Sequence, residues 1–117
     1  MRPDRLFLQD ILAAADAIAH HIGGRDESSI ASDRTARAAV LHELAVIGEA
    51  AARVSQDSRD RSPEIPWRQI VGFRNVVIHG YFGLSWPILW VTATIDVPEL
   101  RSRIETILED GSRDTDD

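Results

Sequence analysis

The sequence predicts an all-α protein, an antiparallel bundle of four to five helices. Three observations carry that prediction. Apolar residues recur at spacings of three and four along most of the chain, the period of a helix with one buried face. No segment alternates apolar and polar residues as a half-buried strand does. The 117 residues, 44% of them hydrophobic, suffice for one moderate core, so residues 1–108 are expected to form a single domain.

The first helix is marked by Phe7, Ile11, Ala14 and Ile18, flanked by Leu8, Leu12, Ala15 and Ile22, and ended by Gly23-Gly24. A polar link from Arg25 to Ser32 leads to Asp33, whose short acceptor side chain suits an N-cap. Beyond it Val40, Leu44, Ile47, Ala51 and Val54 alternate spacings of four and three, which gives the longest and cleanest helix. Ser55 to Ser62 is polar, and with Pro63 and Pro66 it makes the next break. Trp67 to about His79 reads as a third major helix, with Gly80 ending it. Ser85 can cap a last segment that begins with Trp86 and Pro87. Its apolar positions are Ile88, Val91, Ile95, Val97, Leu100, Ile104 and Leu108. Pro98 should kink or divide that segment, because it removes a donor and crowds the preceding turn. The acidic tail, residues 109–117, is expected to be disordered.

Composition narrows the function. Without cysteine there is neither a disulfide framework nor a thiolate metal site, and a cytoplasmic setting is expected. No apolar run approaches membrane-spanning length, so no membrane partner is expected. A net charge of -6 argues against a polyanionic partner, but the average hides the distribution. From Ile65 to Ile95 there is no Asp or Glu, and the same window holds Arg68, Arg74 and His79. No cluster of carboxylates stands near them to hold a metal. His20-His21 could bind one weakly, but reads as polar residues near the end of the first helix.

Placed at about 100° per residue, Arg74 falls between Ile70 and Val77 on one side and Val71 and Ile78 on the other. A guanidinium in such an apolar stripe needs an anion, either a carboxylate, for which Glu49 is the first candidate, or a bound phosphate. Phe73 and Val76 make the opposite side apolar too, as in a helix central to a bundle or shared with a second subunit. Asn75 and His79, four residues apart, are neighbours on a third side. His79 also lies at the helix end, where the dipole favours a protonated imidazole suited to acid–base work. Blander roles fit the same residues: a capping His, an Arg in a structural ion pair, a Tyr81 that anchors the bundle. Periodicity and chemistry alone do not choose between them.

Arg74, four residues, His79, Gly80 and Tyr81 spell R-x4-H-x-Y. Two further blocks accompany it, Val46-Ile47-Gly48-Glu49-Ala50-Ala51 and Pro63-Glu64-Ile65-Pro66-Trp67-Arg68-Gln69-Ile70. On these residues the chain from Arg5 to about Leu108 resembles the HepT family of HEPN-domain toxins. The resemblance implies a HEPN-type bundle that cleaves RNA without a metal or other cofactor, as a homodimer whose two motifs face one cleft. It makes Arg74 the ligand of the scissile phosphate, His79 the acid–base residue and Asn75 a substrate-positioning neighbour. It also implies a cognate MntA-type nucleotidyltransferase antitoxin that silences the toxin by transferring AMP to Tyr81. An alternative of another class is a non-catalytic HEPN module that binds nucleotide or scaffolds a partner nucleotidyltransferase.

Overall fold

A computed structural model describes residues 2–76 and 85–115, with side chains as far as Gly111. All regular structure among these residues is helical. Helix α1 runs Asp4–Ile22 and ends at Gly23, whose left-handed backbone (φ 54°) lets its N–H bond Ala19 O at 2.9 Å. Inside the link expected to be irregular lies one helical turn, α2 (Glu27–Ala31), begun by Asp26 accepting from Ser29 N. Asp33 then caps α3 (Arg34–Arg53) by accepting from Ala36 N at 3.1 Å, as its position predicts. That bond, followed by the hydrogen bond from Arg25, holds the Asp33 carboxyl below its ordinary range.

Helix α3 ends without a glycine. Its last carbonyls, from Ala51, Ala52 and Val54, are instead received by the Arg59 guanidinium of a second short helix, α4 (Gln56–Arg61). The N-terminus of α1 sits at the same junction, where Asp4 accepts hydrogen bonds from Ser55 and Ser58. The start of α1 thus meets the end of α3, so the two helices are antiparallel. Farther along α1, Asp16 pairs with Arg101 of the last helix at 2.6 Å. Ile11, Ile18, Val40, Leu44, Ile47 and Ile104 fill the space between the three long helices and are essentially inaccessible to solvent.

After α5 (Trp67–Val71), the C-terminal third begins with α6 (Trp86–Val91). Ser85 occupies its N-cap position but makes no side-chain capping bond. A π-helical segment, Thr92–Asp96, follows, and α7 (Val97–Thr115) continues from it with Pro98 in its first turn. The division expected at Pro98 therefore takes the form of a wider i→i+5 turn just ahead of it. Thr92 and Thr94 hydroxyls donate to Ile88 O and Trp90 O, in each case the carbonyl four residues earlier. α7 extends to Thr115, into the tail expected to be disordered.

One expectation about this segment needs correction. The inward column is Leu89, Ala93, Val97, Leu100 and Ile104, whereas Ile88, Val91 and Ile95 are 58%, 51% and 60% exposed. The apolar positions read as one stripe are two, because Ile95 to Val97 is a step of two residues, about 200° around a helix, which sets Ile88, Val91 and Ile95 opposite Val97, Leu100 and Ile104. No helix of the described residues is long and apolar enough to cross a membrane.

Candidate active site

Helix α5 (Trp67–Val71) carries the site, and its start is tied down twice. Trp67 is buried and donates its Nε1 to Ser62 O at 3.0 Å, while Ile65, two residues earlier, is wholly inside the core. From Gly72 to Asn75 the helix tightens to a 3-10 turn. Three residues per turn bring positions three apart into register. Ile70 and Val76 are buried and Phe73 is half-buried, so this column faces the core, and Arg74 and Asn75 occupy the two remaining, exposed columns.

The 3-10 winding overturns the placement of Arg74 within an apolar stripe. That placement assumed α-helical rotation, and the tighter turn moves Arg74 out to solvent. Glu49 is not its partner either. Glu49 lies 3.9 Å from Arg53 on its own helix and lines a hollow with Arg2, Phe7 and Asp10 between α1 and α3. Among the described residues, Arg74 has no hydrogen bond or ion pair.

The residue that does connect α3 to the motif is Gly48, one position before Glu49. A Cβ built on Gly48 would lie 2.2 Å from Arg74 N, 2.8 Å from Phe73 C and 2.9 Å from Arg74 Cα. The two backbones are in direct contact, so α3 fixes the main chain from which the Arg74 guanidinium projects. In the sequence Gly48 stands out only as part of the block Val46-Ile47-Gly48-Glu49-Ala50-Ala51. The available signal was a glycine in the middle of the cleanest helix, where alanine is preferred unless another backbone comes close.

His79 and Tyr81, with Val77, Ile78 and the helix-ending Gly80, lie outside the described residues. The structure therefore brings together Gly48, Arg74 and Asn75. Beside Phe73 a cavity of about 330 Å³ opens toward α7, but its rim carries the carboxylates of Glu64, Asp96 and Glu99. Its one guanidinium, Arg103, is engaged by Glu99 and Glu64 O, which makes it a poor seat for an anion. His20 and His21 pack edge to face at the end of α1, with no third metal-ligating side chain grouped with them among the described residues.

The chain as a whole is similar to known proteins. Residues 11–107 match the family described as "Ribonuclease HepT-like". The "Putative RNase MJ1380" of Methanocaldococcus jannaschii is 34% identical over 106 residues, covering 91% of this chain and 97% of that protein. "Putative RNase MJ0125" of the same organism is 34% identical over 109 residues, 93% of this chain and 94% of the relative. The "Probable ribonuclease HepT" of Thermococcus cleftensis is 32% identical over 106 residues, 91% and 96% of the two chains. No solved structure matches this chain significantly. With a family match across most of its length and relatives covered almost end to end, the chain belongs to the HepT-like ribonuclease family.

Proposed function

We propose that this protein is a metal-independent endoribonuclease, the toxin of a toxin–antitoxin pair, working as a homodimer. The observation that carries the reading is Arg74: an exposed guanidinium without a protein anion among the described residues, on a backbone held by Gly48. A structural arginine would be paired. An exposed one with no partner among the described residues, carried on an anchored backbone in a stretch free of acids, is suited to a phosphodiester.

In this reading Arg74 neutralises the scissile phosphate as charge builds on its oxygens, and Asn75 beside it positions the strand. The 2′-hydroxyl of the RNA attacks phosphorus and the bond to the 5′-oxygen breaks. His79 moves the proton, off the attacking oxygen or onto the leaving one. A second copy brings a second motif to the same cleft, and the exposed row Ile88, Val91 and Ile95 supplies apolar surface for that contact. A MntA-type nucleotidyltransferase silences the enzyme by placing AMP on Tyr81, whose added negative charge would compete with RNA phosphate for Arg74.

Purified protein is expected to cleave RNA in EDTA. Arg74→Ala should lower kcat/KM by about 10²–10³, and His79→Ala by about 10²–10⁴. Arg74→Ala should leave the melting temperature unchanged, because the exposed side chain makes no hydrogen bond or ion pair among the described residues. Cleavage that survives both substitutions would sink the assignment. Co-expression with the nucleotidyltransferase should add AMP mass to the wild type and none to Tyr81→Phe.

A further inference from the structure

Gly72 is a glycine that nothing among the described residues requires. Its backbone is ordinary right-handed helix (φ -60°, ψ -21°), it is exposed, and a Cβ there would meet nothing of the described residues within 4 Å. Gly48 has a reason inside the molecule; Gly72 has none among the described residues, although glycine weakens a helix at such a position. Space kept clear on an outer surface serves something that approaches from outside.

Its neighbours indicate what approaches. Arg68 lies one turn before Gly72 and Asn75 one 3-10 turn after, so the three share a face. Arg68 is exposed and makes no hydrogen bond or ion pair among the described residues. Next to it an open groove of about 650 Å³ is floored by Pro63, Trp67 and Val71 and walled by α4. On that wall Arg59 is engaged by the α3 carbonyls, so Arg68 is the guanidinium of the groove with no partner among the described residues, and the one carboxylate, Asp60, accepts from Gln56 Nε2 at 2.8 Å. The helix itself contributes no acid.

We propose that Arg68, Gly72 and Asn75 form a second RNA subsite, in which the strand's backbone passes over Gly72 and Arg68 neutralises a phosphate beside the cleaved one. Arg68 and Arg74 are separated by on the order of 10 Å along the helix. They also project from different faces, so they serve different phosphates. Arg68 is thus a substrate-binding residue and not part of the chemistry. The inference rests on the RNA-cleaving reading above.

The test uses full-length protein carrying His79→Ala, to prevent turnover, and a labelled single-stranded RNA oligonucleotide titrated at several salt concentrations. Arg68→Gln should weaken binding on the order of tenfold and reduce the slope of log K against log salt by about 0.7, one phosphate's share. In the active protein it should raise KM and leave kcat unchanged. Gly72→Ala should melt higher than the parent, and Gly72→Leu no lower, yet both should bind RNA more weakly, leucine more than alanine. An unchanged salt slope in Arg68→Gln, or full RNA affinity in Gly72→Leu, overturns the subsite. So does a Gly72→Leu protein that changes its sedimentation but not its RNA binding, since the face would then meet protein. If wild-type protein cleaves RNA while these variants behave as the parent does, the subsite alone fails. If the parent binds RNA but wild type cleaves none, the activity reading fails and the salt slopes still decide the subsite. Absence of any RNA binding overturns both.

Discussion

Gly48 sets where Arg74 can be. In mid-helix a glycine is worth about 0.5–1 kcal/mol less than alanine, so propensity alone would favour the substitution. The contact reverses the sign. A methyl group there meets the main chain of Phe73 and Arg74, which cannot swing aside as the end of a long side chain would. Gly48→Ala is therefore expected to destabilise the protein by about 1–3 kcal/mol and to push the Arg74 backbone away from α3. Thermal melting and RNA cleavage measured on the same preparation check both halves. A variant as stable and as active as wild type would mean that α3 and the motif helix do not touch there. Arg74→Ala should do the opposite, losing activity while keeping stability. The pair of substitutions thus separates the residue that positions from the residue that acts.

At the scale of elements, the joint between α1 and α4 is electrostatic. Burial of Asp4 works to raise its carboxyl. The hydrogen bonds from Ser55 and Ser58, with Arg61 nearby, outweigh it and hold the group below its ordinary 3.8. A carboxyl depressed in the folded state binds its proton more readily when unfolded. Its contribution is therefore fully present above the ordinary value and lost as pH falls through the folded one. Asp4→Ala should lower stability by about 1 kcal/mol near neutral pH, and the gap to wild type should close in acid. Chemical denaturation at both pH values decides it, and an equal gap at each would contradict the sign. The sequence showed α1, α3 and their caps because each has several turns over which periodicity repeats. It did not show α2 and α4, since five or six residues are too few to define a period. The R-x4-H-x-Y motif was legible as a string. The exposure of Arg74 was not, because it depends on 3-10 winding that residue types do not encode. Glu49 likewise looked available from its place in the chain, but on α3 it turns toward α1 while Gly48 takes the side facing the motif.

At the scale of the whole molecule, one apolar row among the described residues has no cover. Ile88, Val91 and Ile95 were expected in the core because periodicity reports that a face is apolar, not what lies against it. Their stretch contains no acid, whereas the chain as a whole carries -6, so it is a surface on which two copies can meet with little mutual repulsion. Full burial of a Val or Ile side chain contributes about 1.5–3 kcal/mol. These three start half-buried, so two copies recover about half of that at each of six positions. The gain is comparable to the low end of the roughly 4–15 kcal/mol that association requires. An interface so balanced should be sensitive to one charge at its centre. Ile95→Glu or Val91→Glu is expected to convert a dimer to a monomer in sedimentation velocity with little loss of melting temperature at low concentration, because neither side chain supports the core. If activity needs two motifs in one cleft, RNA cleavage should fall with the dimer and recover as protein concentration is raised. A monomeric variant with full specific activity at every concentration would show that one motif suffices.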